Sequence, residues 1–251
     1  MRYLLVVICL LAAVFVTAQN DNYKKMQNPL KLSMSAGTIR HKFTTTSENN
    51  KIRGVPSYDY VTELALKYYI NEEKLSISTG VQLISFTNIY ETNSTNLNEF
   101  DSRSRTIIGG TGYFKVFFNY HYYLKFSDRI YIGGIIGPSI NFHRTFGEYD
   151  NYQSFFQETE NNQIIKTVIT SYSTERIKKQ SYSAQFGLNF EYRFRKGSIL
   201  YLSSQYNIGF DNFNKTNVLL NINGNYADKA IIYSKGSGLN ILLGFSFPIN
   251  L

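Results

Sequence analysis

Apolar and polar residues alternate along the last thirteen residues of the chain, from Leu239 to Leu251. Seven apolar residues share one face, and Leu242 is the only large apolar residue on the other. A period of two is typical of a β-strand with one apolar face. Strands of soluble proteins usually have five or six residues, whereas about ten residues cross an outer membrane at a tilt. The segment is therefore predicted to be a membrane-spanning strand.

The same pattern recurs in seven segments that precede it. The eight predicted strands are 30–36, 58–68, 75–83, 113–124, 130–142, 182–194, 200–210 and 239–251. Three short polar turns at 71–74, 126–129 and 195–198 alternate with four long connections. These connections are expected at 41–57, 90–105, 144–180 and 211–236. Short turns on one side and long loops on the other are typical of outer-membrane barrels.

The charged residues within these strands identify the face that points inwards. They are Lys31, Glu63, Lys67, Lys115, Glu191 and Arg193. A soluble lipocalin also has eight up-and-down strands, but its interior is apolar and its exterior polar. Here the face opposite the charges is apolar and aromatic, and a basic residue that faces lipid near the midplane costs about 2 to 4 kcal/mol. The sequence predicts an all-β, eight-stranded antiparallel up-and-down transmembrane β-barrel, with short periplasmic turns and four long extracellular loops.

The six charged side chains are expected to form a polar cluster that fills the lumen. An eight-stranded barrel is just wide enough for its own side chains to fill. Partial ion pairing is expected inside it, because an unpaired buried charge is costly. A conducting pore is the alternative.

Residues 1–18 have the features of a signal peptide. Arg2 is followed by an apolar run, and Val16-Thr17-Ala18 supplies the small residues of a cleavage site. A membrane anchor is the alternative, but the run of about fourteen apolar residues is shorter than the roughly twenty that a spanning helix needs. We therefore expect a barrel domain at 19–251. The single cysteine, Cys9, lies in the removed segment, so no disulfide is expected in the mature chain.

Composition adds two expectations about the surface. The 21 Tyr and 19 Phe suit aromatic girdles at the membrane boundaries. The formal net charge of +8 includes Lys42, Lys51 and Arg53 in the first long connection and Lys178 and Lys179 in the third. Positive groups at the outer leaflet are expected to contact lipid and the phosphates of lipopolysaccharide. Nucleic acid is not an expected partner, because the aromatic residues follow the strand pattern and form no base-stacking platform.

The central hairpin resembles a known family. Residues Tyr113 to Phe142 read YFKVFFNYHYYLKFSDRIYIGGIIGPSINF: an apolar and aromatic strand, a short polar turn and a Gly-rich strand with Gly137-Pro138. This stretch resembles the outer-membrane β-barrel proteins abundant in Bacteroidetes-type bacteria, including the PorT-like group. The resemblance implies insertion by the barrel assembly machinery, for which a terminal aromatic residue is often the signal. Leu251 departs from that signal, and Phe247 is the nearest aromatic residue in phase.

The candidate chemistry is sparse. His121 and His143 lie on the lumen phase of neighbouring strands, but no carboxylate in those strands supplies a third metal ligand, so no metal or other cofactor is expected. Outer-membrane hydrolases also use barrels, yet Asp59, Asp211 and His143 near the extracellular ends form no recognisable catalytic group. An enzyme is therefore not predicted.

The expected function is that of a non-enzymatic protein of the bacterial outer membrane. Its loops would serve envelope integrity, adhesion or binding of a surface partner. A PorT-like component of a protein secretion machinery is one alternative, and a small porin or ligand carrier is another. The last two long connections contain β-prone runs at 163–170 and 218–222, so their hairpins are expected to extend beyond the membrane as paired strands.

Overall fold

The structure is a computed structural model that describes residues 29–71, 74–93, 103–143, 149–160 and 163–249. The predicted signal peptide and Leu251 lie outside these ranges. In the described ranges, all regular elements are strands, and none is a helix long and apolar enough to cross a membrane. The strands are β1 Leu30–Ser47, β2 Ile52–Gly54, β3 Tyr58–Asn71, β4 Leu75–Asn93, β5 Arg103–Lys125, β6 Ile130–His143, β7 Tyr149–Glu160, β8 Gln163–Arg176, β9 Gln180–Arg193, β10 Ile199–Gly209, β11 Asn214–Ile222 and β12 Asn225–Pro248.

Eight of these strands close into a barrel. They follow the order β1-β3-β4-β5-β6-β9-β10-β12, and β12 pairs with β1 to complete the ring. Every pairing is antiparallel, with Lys31 opposite Pro248 at one end of the seam and Arg40 opposite Leu239 towards the other. The predicted fold class is confirmed.

Alternate side chains point into the barrel and out of it, as the pattern predicted. In β9, Leu188 is 65% exposed, whereas the adjacent Asn189 is 2% exposed. Exposed apolar side chains such as Leu66, Ile136 and Leu243 cover the outer surface. Because so large an apolar surface is unfavourable in water, the outer face is suited to lipid.

The long connections are the part of the fold where the prediction of boundaries was wrong. β1 continues to Ser47, β4 reaches Asn93, β5 begins at Arg103 and β12 begins at Asn225. The predicted start of the last strand at Leu239 is therefore fourteen residues late (239 − 225). The start was predicted too late because residues 234–238 read Ser-Lys-Gly-Ser-Gly, which has the composition of a turn.

A bulge in β12 accommodates that polar sequence within the sheet. His41 lies opposite Gly238 and Phe43 opposite Ser234, so two steps on β1 match four on β12. Gly236 has a φ of 70°, which lies in the left-handed region where a side chain is disfavoured. The strand therefore bends at the membrane boundary instead of ending there.

Beyond the bulge, the sheet continues outside the barrel. β12 pairs with β11, β11 with β8 and β8 with β7, so the expected extension of the hairpins is confirmed. Asn223 and Gly224, with φ of 52° and 79°, form the tight turn between β11 and β12. Two central residues with positive φ are typical of the type I′ hairpin turn, for which Asn-Gly is the preferred sequence.

Candidate functional site: the barrel interior and the extracellular sheet

The periplasmic end of the lumen contains an ionic cluster around Glu191, which is fully buried. Lys67 Nζ lies 2.5 Å from Glu191 Oε1, and Arg193 Nε donates to Oε2 at 3.1 Å. The hydroxyls of Tyr69 and Tyr123 also donate to this carboxylate, Tyr123 at 2.7 Å. Both carboxylate oxygens are thus saturated by charged and neutral donors, which is the condition under which a buried charge is tolerated.

Aromatic rings complete this cluster. The guanidinium carbon of Arg193 lies 3.6 Å from the centroid of the Tyr131 ring, which places the cation over the aromatic face. Lys31 Nζ donates to the carbonyl of Gly197 at 2.8 Å and lies 5.7 Å from the Tyr69 ring. We refer to Lys31, Lys67, Glu191 and Arg193 as the ionic cluster. The three tyrosines were not predicted, because Tyr is as common on the lipid face of these strands as inside.

The other two predicted charges, Glu63 and Lys115, form a separate layer nearer the middle of the lumen. Glu63 Oε2 accepts a hydrogen bond from Gln82 Nε2 at 2.6 Å, and Gln82 is opposite both charged residues in the strand register. Lys115 Nζ donates to Asn207 Oδ1 at 2.5 Å and to Gln185 Oε1 at 3.2 Å. All six predicted side chains therefore lie inside the barrel, in two layers about 13 Å apart along a strand.

A cavity of about 20 Å³ lies between these layers. Glu63, Lys67, His121 and Tyr201 are among the residues that line it. Glu63 is half-buried by surface area because its side chain faces this cavity. The volume is close to that of a single water molecule, so the lumen at this level is filled by side chains.

Towards the extracellular side, an apolar plug replaces the polar lumen. Its buried members are Ile39, Val61, Ile84, Phe86, Tyr113, Phe213 and Leu242. Phe213 belongs to the segment after β10 and is held over the barrel mouth, where its N–H donates to the Ser234 carbonyl at 2.9 Å. Its ring stacks on His143 with centroids 3.8 Å apart. This plug was not predicted; Leu242, the only large apolar residue out of phase in the last strand, is the sequence signal that could have indicated it.

The structure does not bring together the residues considered for catalysis. Asp59 faces the lumen and accepts hydrogen bonds from Ser57 Oγ at 2.8 Å and from Thr87 Oγ1 at 2.6 Å. Asp211 lies outside the lumen and pairs with Lys178 at 2.7 Å, whereas His143 stacks in the apolar plug. Each of these three side chains bonds to other residues, and in the described ranges no hydrogen bond or ion pair joins any two of them.

The two histidines considered as a metal pair, His121 and His143, are also far apart. His143 is opposite Tyr113 on β5, whereas His121 lies eight residues further along that strand, about 26 Å away. Across the described ranges, no group of three or more His, Cys, Asp or Glu side chains could hold a metal ion. These two histidines instead bond to serine hydroxyls: His121 Nε2 with Ser78 Oγ and His143 Nε2 with Ser181 Oγ, each at 2.8 Å.

Outside the membrane, the extended strands pack around a hydrophobic core of their own. Ile52 and Tyr90 from β2 and β4 face residues of β12, β11 and β8. The buried residues on that second side are Val168, Val218, Leu220, Ala230 and Ile232. We call β2, β7, β8 and β11, together with the outer ends of β4 and β12, the extracellular sheet. A buried core explains why the described parts of the long connections are mostly strands, since apolar burial offsets the entropy of ordering the chain.

Asp228 fixes the turn at residues 48–51 to this sheet. Its carboxylate accepts hydrogen bonds from Ser47 Oγ at 2.6 Å and from the backbone N–H groups of Asn49 and Lys51 at 2.9 and 2.8 Å. Burial alone would raise the pKa of Asp228, but these hydrogen bonds hold the pKa below its ordinary value. Because the folded-state pKa is lowered, the stabilisation is complete at neutral pH and is lost only as the pH falls through that pKa in acid.

The closed antiparallel ring, its apolar outer face and its filled polar lumen define a transmembrane β-barrel of the bacterial outer membrane. The chain belongs to the outer membrane protein beta-barrel domain family, which it matches over residues 17–215. This match ends within β11, so the closing strand β12 lies beyond it. No curated protein matches the chain in sequence.

Several solved structures are similar to this chain. The outer membrane protein OprG from Pseudomonas aeruginosa is 11% identical, with a TM-score of 0.49, and the match covers 89% of this chain and 98% of that one. The attachment invasion locus protein Ail of Yersinia pestis is 10% identical, with a TM-score of 0.34 and coverage of 87% and 99%. The outer membrane protease OmpT from Escherichia coli is 9% identical, with a TM-score of 0.40 and coverage of 92% and 100%. Identities this low transfer no activity to the chain.

Proposed function

We propose that the protein is a non-enzymatic, non-conducting outer-membrane barrel whose extracellular sheet binds a partner at the cell surface. The observation that carries this proposal is the division of the molecule into a filled lumen and an extracellular sheet with its own hydrophobic core. A filled lumen favours a scaffold over a pore. An ordered core outside the membrane favours a fixed surface for recognition, which would serve adhesion or envelope integrity.

Three features support a closed lumen. The ionic cluster, the layer of Glu63 and Lys115, and the apolar plug follow one another along the barrel axis. An ion that crossed would have to break the contacts of Glu191 and then displace the buried rings of Phe86 and Phe213. Each step carries a large penalty for desolvation or for lost packing.

We expect the purified mature chain to show no steady conductance in planar bilayers, because the lumen is blocked at both ends. Phe213→Gly should change this little, since the ionic cluster still blocks the periplasmic end. Reproducible ion-selective openings of the wild-type protein, altered when Glu191 is neutralised, would instead support the small-porin alternative.

The surface for a partner is proposed on the outermost strands. Phe155 on β7 is 62% exposed and Ile164 on β8 is 56% exposed, although both lie far from the lipid-facing band. In the described part of the chain, β7 pairs only with β8 and so presents a free edge. Exposed apolar side chains beside a free edge are typical of an interaction site.

Crosslinking and affinity purification from intact envelopes should recover a surface partner with the wild-type protein. Phe155→Ser combined with Ile164→Ser should lower its recovery by about tenfold, because each change removes apolar contact area. Phe126→Ser is the matched control, since Phe126 is 75% exposed on a periplasmic turn.

The same two variants separate the competing roles. Recovery of secretion-machinery subunits that is lost in Phe126→Ser and retained in the β7–β8 variant would replace the proposal with the PorT-like role. Equal recovery with all three proteins would also contradict the proposed surface.

A further inference from the structure

Three cationic side chains lie together on the outer surface of the barrel seam. On β1, Ile39 and His41 are buried, so the alternate residues Arg40 and Lys42 point outwards and are exposed. On β12, Lys235 is exposed between the buried residues Ser234 and Gly236. Lys42 lies opposite the bulge that contains Lys235, so the two cations are on adjacent strands. We call Arg40, Lys42 and Lys235 the basic flank.

Acidic neighbours offset the charge of the basic flank only in part. In the described residues, no carboxylate lies within 4.0 Å of the charged nitrogens of Arg40, Lys42 or Lys235. Asp211 is the acidic residue near this surface: it interacts electrostatically with Lys235, but its carboxylate pairs with Lys178 at 2.7 Å. The flank therefore carries a net positive charge that an anionic group could satisfy.

The basic flank lies at the upper edge of the surface that faces lipid. Leu239, Ile241 and Leu243 are exposed directly below it on β12, and Arg40 is opposite Leu239. The apolar phase from Leu239 to Phe247 spans about 20 Å normal to the membrane for a tilted strand, close to the height of an outer-membrane apolar band. The cations thus begin where the hydrocarbon region ends.

Aromatic side chains surround the flank at the same level. Arg40 lies 5.8 Å from the centroid of the Tyr58 ring, and Tyr58 and Tyr60 are 72% and 77% exposed. Tyrosines at this depth are typical of the headgroup region of a membrane. Cations among them would meet the phosphate groups of a lipid and not a protein partner further out.

We propose that the basic flank is a binding site for the phosphate groups of lipopolysaccharide in the outer leaflet. Charge complementarity and continuity with the lipid-facing band both select a phosphorylated lipid as the occupant. Three cations on two adjacent strands can contact one phosphorylated headgroup together, while its acyl chains cover the apolar residues below. This inference concerns the barrel wall and does not depend on a partner of the extracellular sheet.

Native mass spectrometry of the mature chain in detergent micelles tests the site with lipid A as the probe. Wild-type protein should bind phosphorylated lipid A more tightly than lipid A from which the phosphates have been removed. The variant Arg40→Gln, Lys42→Gln, Lys235→Gln should bind phosphorylated lipid A at least about tenfold more weakly. The binding of the wild-type protein should also weaken as salt is raised.

The matched control carries the same loss of charge at the periplasmic end: Lys125→Gln, Arg195→Gln, Lys196→Gln. Its affinity for lipid A should equal that of the wild-type protein. Equal weakening in both triple variants would mean a general effect of net charge and would overturn the site. Equal binding of the two forms of lipid A, or displacement of lipid A by millimolar inorganic phosphate, would overturn the assignment to a phosphorylated lipid.

Discussion

Glu191→Gln should lower the free energy of unfolding of the barrel by about 3 to 5 kcal/mol. The carboxylate accepts hydrogen bonds from Lys67, Arg193, Tyr69 and Tyr123, and it has no exposure to solvent. A neutral amide leaves the buried ammonium of Lys67 without its carboxylate and directs N–H donors at other donors. Urea titrations of the protein folded in lipid vesicles, followed by the gel mobility of unheated samples, would measure the change.

Two further variants show whether burial is the cause. Glu175→Gln removes a carboxylate that lies 2.6 Å from Lys215 but is 56% exposed, so its cost should stay below about 1 kcal/mol. The double variant Lys67→Met, Glu191→Gln removes both members of the buried pair and should recover part of the loss. Similar costs for Glu191→Gln and Glu175→Gln would mean that the ionic cluster is hydrated and that the lumen is open to water.

The barrel itself could be predicted from the sequence because a single physical requirement repeats in every strand. Lipid on one side and side-chain packing on the other impose the same alternation on β9 and on β12. If the inward and outward residues of β9 had been exchanged, Glu191 and Arg193 would lie in hydrocarbon. The charged residues therefore identify the inward face independently of the apolar residues. The six lumen charges followed from the same alternation.

The division of the lumen into layers could not be predicted in the same way. The alternation of apolar and polar residues predicts which side chains point inwards. It does not predict which of them lie at the same height along the barrel axis, because that height depends on the register between strands. The register places Glu63, Gln82 and Lys115 together and leaves Lys67 in the layer below. The apolar plug was not predicted, because the predicted strand 30–36 ends before Ile39 and Phe213 reaches the plug from a segment outside the strands.

The extracellular sheet lacks the alternation that made the barrel predictable. In β11 the buried positions include Asn214 and Thr216 as well as Val218 and Leu220, so burial there does not follow the polarity of the residues. Asp228 stabilises the turn at 48–51 from a distance of almost 180 residues in the chain. No local pattern around Asp228 indicates that contact, because its partners are mostly backbone N–H groups.

The lumen contacts also decide how the facing of the strands should be tested. Asn189 is adjacent to Leu188 but points inwards, where its Nδ2 donates to Glu191 Oε1 at 3.0 Å and to the Tyr123 hydroxyl at 3.2 Å. Arg at this position would overfill the ionic cluster and add a cation to it. A large destabilisation by Asn189→Arg would therefore not report on contact with lipid. The control for an arginine on the lipid face has to be another position on that face.

Leu188→Arg should destabilise the barrel by about 2 to 4 kcal/mol, because it places a guanidinium in hydrocarbon near the middle of β9. Tyr182→Arg is the matched control: Tyr182 is on the same strand and the same face, is 55% exposed, and lies about 20 Å nearer the extracellular end. At that boundary the cost should be about 0 to 1 kcal/mol, since the cation reaches the headgroups. Refolding titrations into lipid vesicles measure both variants under one set of conditions. The two positions share a strand and a face of the barrel and differ in their depth in the membrane. Equal losses of stability at the two positions would contradict the immersion of β9 in a membrane.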